Sequence, residues 1–189
     1  MTTELADSTI RLRAPRRTDI EAALSAVRAS LKELMAWTSW CHADYARQDV
    51  EKFLRKVEAE RFEDRAYDFY ILDAQGSRVL GGCGLYQIDR ATGCASLGYW
   101  VRSDATGQGT ATSATRLLAR FGFEQLDLSR IEIIAAVDNA ASQRVAVKVG
   151  AVREGVLRSR LRLRGRQVDA VAYSLIPGDL GIVVPEGHG

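Results

Sequence analysis

Apolar residues recur along this chain at two periods, and the places where the period changes mark its elements. Residues 8–15, STIRLRAP, alternate and stop at Pro15, which predicts a first strand. The pattern then lengthens: Ile20, Ala23, Leu24, Val27, Leu31 and Leu34 share one helical face, so a single helix is expected through residues 16–37, with Thr18 or Asp19 as its cap. Val50, Phe53, Leu54 and Val57 predict a second helix over 49–64. Residues 67–101 read as three strands that turn at 74–76 and 89–93. A helix follows over 111–125, then a buried strand RIEIIAAV, then a helix with Asn139 as cap and Gly150 as stop. Two strands, 151–163 and 168–176, joined near Gly165, complete the pattern. The fold class is α/β, a mixed sheet covered by helices on both faces.

Nothing divides the chain: there are no repeats or Pro/Gly/Ser-rich linkers, so residues 1–177 are expected to form one domain, with 178–189 as a loose tail. The 189 residues, 47% hydrophobic and 26% charged, suit an ordinary globular core. No apolar run approaches the ~20 residues of a membrane span, and residues 1–15 lack a secretory h-region. Cys41, Cys83 and Cys94 are an odd set without a CxxC pair, which favours reduced thiols and a cytoplasmic location. A net charge of +2 is too small to suggest direct nucleic-acid binding. With only His42 and His188, and no Cys/His spacing, no metal site is expected.

The distinctive stretch is residues 101–121, VRSDATGQGTATSATRLLARF. Two glycines, Gly107 and Gly109, sit where a strand turns into a helix. The first N–H groups of that helix, from Gln108, Gly109, Thr110 and Ala111, lack intrahelical partners and favour an anion. Glycine permits positive φ and removes the Cβ that would hold a phosphate away. The turn is neither GxxxxGK[ST] nor GxGxxG, so a nucleotide triphosphatase is not indicated. On spacing alone, a plain glycine turn without a ligand remains the alternative.

Three segments carry a resemblance: SLGYWVRSDATGQGTATSATRLL, RIEIIAAVDNAASQRVAVKVGA and REGVLRSRLRLRGRQVDAVAYSLI. Together they resemble the GNAT superfamily of acyl-CoA N-acyltransferases, and within it the RimJ/RimL-like branch of ribosomal-protein N-terminal acetyltransferases. The resemblance implies a mostly antiparallel sheet with one splayed parallel strand pair holding acetyl-CoA, the acyl-donor substrate. The family turn [Arg/Gln]-x-x-Gly-x-[Gly/Ala] falls on residues 106–111, with Thr106 in place of the first Arg or Gln. Ala151 replaces the aromatic residue common after Gly150. Trp100 and Val101 would hold the pantetheine arm, and Gln108, Gly109, Thr110 and Ala111 the pyrophosphate. A homodimer through the C-terminal strands is a further family expectation.

The implied reaction is attack of an amine on the thioester, with a donor needed for the departing thiolate. The tyrosine that serves in many members is replaced by Ala146, which leaves Ser142 as general acid and Asn139 as a positioning group. Plain capping explains that Asn-x-x-Ser pair as well. No carboxylate stands out as base among Glu33, Asp68 and Asp89. Trp37, Trp40, Tyr99 and Arg160 are the acceptor candidates. Arg158, Arg160, Arg162 and Arg164 recur at period two, which on a regular strand puts four guanidinium groups on one face; either a solvated face or an anion site fits. The expected acceptor is an amine, foremost a protein or peptide N-terminus. Small amines, a succinyl-type donor and a non-catalytic acyl-CoA sensor are the alternatives.

Overall fold

Glu4–Ala6 (β1) and Ile10–Arg13 (β2) open the fold as a short antiparallel hairpin in the computed structural model, which describes residues 4–183. β1 is an addition to the elements that periodicity predicts, since three residues are too few to display a period. Asp7 closes the hairpin by accepting from the N–H groups of Thr9 and Ile10 at 2.7 and 2.9 Å.

The single helix expected over 16–37 is two. Ile20–Arg28 (α1) ends at Ala29, and Leu31–Trp37 (α2) starts after Ser30. The break has a distant cause: the buried Ser30 hydroxyl accepts from the Ser103 N–H at 2.8 Å, tying the helix junction to the loop that precedes the glycine turn. Arg47–Phe62 (α3) follows, then Tyr67–Asp73 (β3), Val79–Asp89 (β4) and Cys94–Val101 (β5). Thr110–Gln125 (α4), Arg130–Ala136 (β6) and Ala140–Val149 (α5) come next. Val152–Leu163 (β7) and Arg166–Leu175 (β8) form the last hairpin, turned through Arg164 and Gly165 with φ of 49° and 75°. Positive φ at both central residues is the two-residue geometry that matches strand twist.

The strands form one sheet in the order β1-β2-β3-β4-β5-β6-β8-β7, antiparallel throughout except for β5 and β6. Alternate residues of each strand feed two cores. Tyr70 and Leu72 of β3 and Val79 of β4 meet Leu24, Val27, Val50 and Leu54 of α1 and α3. Phe69 and Ile71, with Leu85, Ile131 and Ile133, meet Leu118 and Phe121 of α4 on the opposite face. Each such side chain contributes about 1.5–3 kcal/mol on full burial. No helix among the described residues is long and apolar enough to cross a membrane.

The expected loose tail begins in order. Pro177–Leu180 form a 3-10 turn, capped where Asp179 accepts from the Ile176 N–H at 2.8 Å, and Leu180 and Ile182 pack on the core. Residues 184–189, including His188, lie outside the described residues.

Candidate active site

The one parallel pair in the sheet is short. β5 and β6 are in register only at Cys94–Arg130, Ala95–Ile131 and Ser96–Glu132. Beyond these the ladder stops, although both strands continue, to Val101 and Ala136. The edge of Leu97–Val101 that faces β6 therefore has backbone groups with no strand partner there, and such groups need another partner when buried. A polar, extended molecule with amide groups satisfies that requirement.

The glycine turn stands where β5 gives way to α4. Gly107 and Gly109 have φ of 77° and 84°, so both positions demand the left-handed region that glycine enters freely. A Cβ built on either residue meets no protein atom within 4 Å. Internal packing thus does not require the missing side chains; the space over the turn is open. The helix starts one residue earlier than periodicity predicts, at Thr110, whose hydroxyl donates to the Ala105 carbonyl at 3.4 Å. Gln108 turns its side-chain amide to the Asp104 carbonyl at 3.4 Å. What Gln108, Gly109, Thr110 and Ala111 offer is backbone, as the N-terminus of a 16-residue helix. An open, Cβ-free cradle at such an end fits a pyrophosphate.

Across the splay, Asn139 caps α5: its Oδ1 accepts from the Ser142 N–H at 3.0 Å. The capping explanation of the Asn-x-x-Ser pair is thus realised, and it commits the Asn139 carbonyl oxygen to the helix. The Ser142 hydroxyl has another partner. Tyr99 of β5 reaches over the splay to put its phenol 3.0 Å from Ser142 Oγ and 2.9 Å from the Ser142 carbonyl, to which it donates. Burial pushes the phenol up to about 12 against the opposing hydrogen bond from Ser142, so it stays protonated at neutral pH. Ala146, at the position where the resemblance led to the expectation of a tyrosine, is fully buried against the core. The second hydroxyl comes from β5 instead, a pairing across 43 residues that no local pattern announces.

On the opposite face of β5, Trp100 lies over Gly82 of β4; a Cβ there would come within 2.7 Å of the indole Nε1. Trp40 packs against both Trp100 and Tyr45, with centroids 6.0 and 5.7 Å apart. Trp37, at the end of α2, is 41% exposed and joins no aromatic pair among the described residues. Next to Trp100 in the sheet, the Tyr86 ring crosses Gly84 and Gly98, and its hydroxyl donates to Asp68 at 2.7 Å. Asp68 is buried, which lifts its carboxyl to about 6 against that hydrogen bond. It sits beneath Tyr86. Asp89 is consumed in its turn, accepting from Ala91 N–H and Thr92, and Glu33 is exposed on α2.

The arginine stripe is not one face. Leu157 pairs with Ala170 and Leu161 with Val168, so two extra residues bulge from β7. Ser159 takes a φ of 51°, and its N–H donates to Asp169 at 2.8 Å. Arg158 and Arg160 lie in the bulge. Arg162 and Arg164, beyond it, line a cleft of about 370 Å³ with Met35, Thr38, Cys41 and His42. Arg160 does not line it. A second cleft, about 410 Å³, lies along α5 between Gln143, Val147 and Tyr173, and includes none of the candidate residues.

Residues 9–152 match the family described as Acetyltransferase (GNAT) domain, and the chain belongs to that family. YdaF of Bacillus subtilis (strain 168) is 37% identical over 98 residues, 52% of this chain and 54% of YdaF, so the chain spans about half the length of that relative. YjcK of the same organism is 29% identical over 93% of this chain and 98% of its own. Among solved structures, Mycobacterium smegmatis RimJ in complex with CoA-disulfide is 25% identical, with a TM-score of 0.85, over 95% of this chain and 88% of RimJ. The mixed sheet with its single parallel pair is the GNAT fold that the sequence resemblance implies.

Proposed function

We propose that the protein transfers an acetyl group from acetyl-CoA to a primary amine, with the N-terminal α-amine of a protein or peptide as acceptor. The observation that carries this reading is the Tyr99–Ser142 hydroxyl pair spanning the splay between β5 and β6. Family membership and the likeness to a CoA-bound RimJ support acetyl-CoA as donor. The free edge of Leu97–Val101 binds the pantetheine amides, with Trp100 and Val101 at its end, and the N–H groups of 108–111 hold the pyrophosphate.

The chain's part in the chemistry is chiefly proton supply. Thiolate departure needs a proton donor, and Ser142 Oγ gives its proton to the sulfur. Tyr99, held protonated by burial, shifts its hydrogen bond from the Ser142 carbonyl to Oγ and passes its proton there. The proton that the attacking amine releases to solvent as the amide forms restores the phenol, so the cycle closes. Positioned hydroxyls also stabilise the charge that develops on the thioester oxygen.

None of the three carboxylates weighed as base is free beside this pair. That favours an α-amine, which with a pKa near 8 is about a tenth neutral at pH 7; a lysine side chain near 10.4 needs far more help. The free thiols of Cys41, Cys83 and Cys94 accord with a cytoplasmic protein. The test is CoA release from acetyl-CoA with peptides that offer only an α-amine or only a lysine amine. Release with the first set and little with the second is expected; the reverse overturns the choice of acceptor.

A further inference from the structure

The cleft between the α2–α3 connection and the β7–β8 hairpin holds two cations without a counter-charge. Ten of the 22 arginines are ion-paired among the described residues, for instance Arg11 with Glu4, Arg13 with Asp19, Arg90 with Asp64, and Arg130 with Glu132 and Glu154. Among the described residues, neither Arg162 nor Arg164 has a carboxylate within ion-pairing distance. Asp49 is already engaged by His42 at 3.3 Å and Asp169 by the Ser159 N–H, and Glu33 and Asp44, which flank the cleft wall in sequence, form no ion pair with either arginine.

Both arginine side chains are exposed, and one of them is anchored. Arg164 sits in the tight hairpin turn, and its Nε donates to the Met35 carbonyl at 3.3 Å, which fixes the hairpin tip against α2. That leaves its terminal nitrogens as donors. Arg162, on the face opposite the half-buried Leu161 and Leu163, reaches into the same cleft. The wall between them carries His42 and Cys41, which directly follow Trp40, the residue packed on Trp100 of the splayed strand. The cleft thus adjoins the aromatic patch on β5.

The geometry points to Arg162 and Arg164 as a specificity site that selects peptide acceptors with an anionic side chain close to the N-terminal amine. This rests on the reading of the protein as an N-terminal acetyltransferase. Guanidinium forks pair bidentately with carboxylate and with phosphate, so aspartate, glutamate and phosphoserine share the required chemistry. The bulge at 158–160 is what separates this pair from the rest of the arginine stripe, and so restricts the role to two of the four.

The test measures both binding and acetylation of matched peptides that differ only at positions two and three: Asp-Glu, Asn-Gln, phosphoserine-Gln and Lys-Lys. Binding is read calorimetrically on the CoA-loaded protein, so it does not depend on turnover. The acidic peptide is expected to be favoured over the neutral one by tenfold or more in kcat/KM and in affinity, and the lysine peptide to be worst. The preference falls steeply at raised salt. Arg162→Gln reduces the ratio between acidic and neutral peptides several-fold, and Arg162→Gln with Arg164→Gln abolishes it, whereas Arg160→Gln leaves it in place. Tighter binding of the phosphoserine peptide than of the acidic one assigns the site to phosphate; the reverse assigns it to carboxylate. Equal use of acidic and neutral peptides by the native protein overturns this inference and leaves the acetyltransferase reading intact. Absence of both binding and acetylation with every peptide overturns both.

Discussion

The phenol of Tyr99 and the hydroxyl of Ser142 lie 3.0 Å apart, on elements that the splayed strands otherwise separate. Their contact joins the end of β5 to the first turn of α5. It supplies a proton source with a reserve, where Ala146 of the same helix is buried and offers no hydroxyl. Ser142→Ala and Tyr99→Phe should each lower kcat by about 100-fold, with little change in the KM for acetyl-CoA. Because the two act as a unit, the double variant should be barely worse than Ser142→Ala alone. Steady-state kinetics on all three variants checks this, and strictly additive losses would assign the two hydroxyls to separate steps.

Gly82 and Trp100 make a second dependence. A methyl group at Gly82 would fall 2.7 Å from the indole nitrogen, so Gly82→Ala must displace the ring and with it the packing on Trp40. Trp100 offers the pantetheine edge its backbone and not its ring, so the expected outcome is a several-fold rise in the KM of the acceptor with an unchanged Kd for acetyl-CoA. Measuring both constants on one preparation distinguishes this from general unfolding, which would weaken the two together.

Asp68 makes stability depend on pH in a direction opposite to most carboxylates. Its folded carboxyl titrates at about 6 against an ordinary 3.8, because burial disfavours the ion more than the Tyr86 hydroxyl favours it. Between those values the folded protein holds a proton that the unfolded chain has released. Stability from this group is therefore full below pH 3.8 and is lost as pH rises to about 6, a total of about 3 kcal/mol. Asp68→Asn keeps the shape and an acceptor for Tyr86 but removes the charge. The variant should gain on the native protein as pH rises from 4 to 7, in paired denaturant titrations. A stability difference that does not change with pH would contradict this assignment.

What could be read from the sequence was what local chemistry decides. Asn139 caps its helix and Gly150, at φ of 95°, ends it, because a short polar acceptor and a left-handed residue need no distant partner. The same holds for Gly107 and Gly109. Features set by distant contacts were hidden. Leu31 and Leu34 continue the helical period of Leu24 and Val27, yet the helix breaks at Ser30 for a bond to a residue 73 positions away. The period-two arginines predict one face, and a bulge at Ser159, held by Asp169, divides it. The Tyr99–Ser142 contact belongs to the same class: each residue was a candidate, but for different roles.

The glycine turn bears most directly on the function proposed here. Its Cβ-free space is open, so the requirement for glycine comes from backbone conformation and from whatever binds there. Calorimetric titration of acetyl-CoA into the native protein, Gly109→Val and Gly109→Asn tests this. Valine in the left-handed region costs roughly 1–2 kcal/mol of stability, whereas asparagine tolerates that conformation but still places a side chain over the helix end. Micromolar binding by the native protein, lost in both variants while Gly109→Asn keeps its thermal midpoint, is the result expected of a pyrophosphate cradle. Binding of equal strength in Gly109→Asn, or none by the native protein, would contradict it.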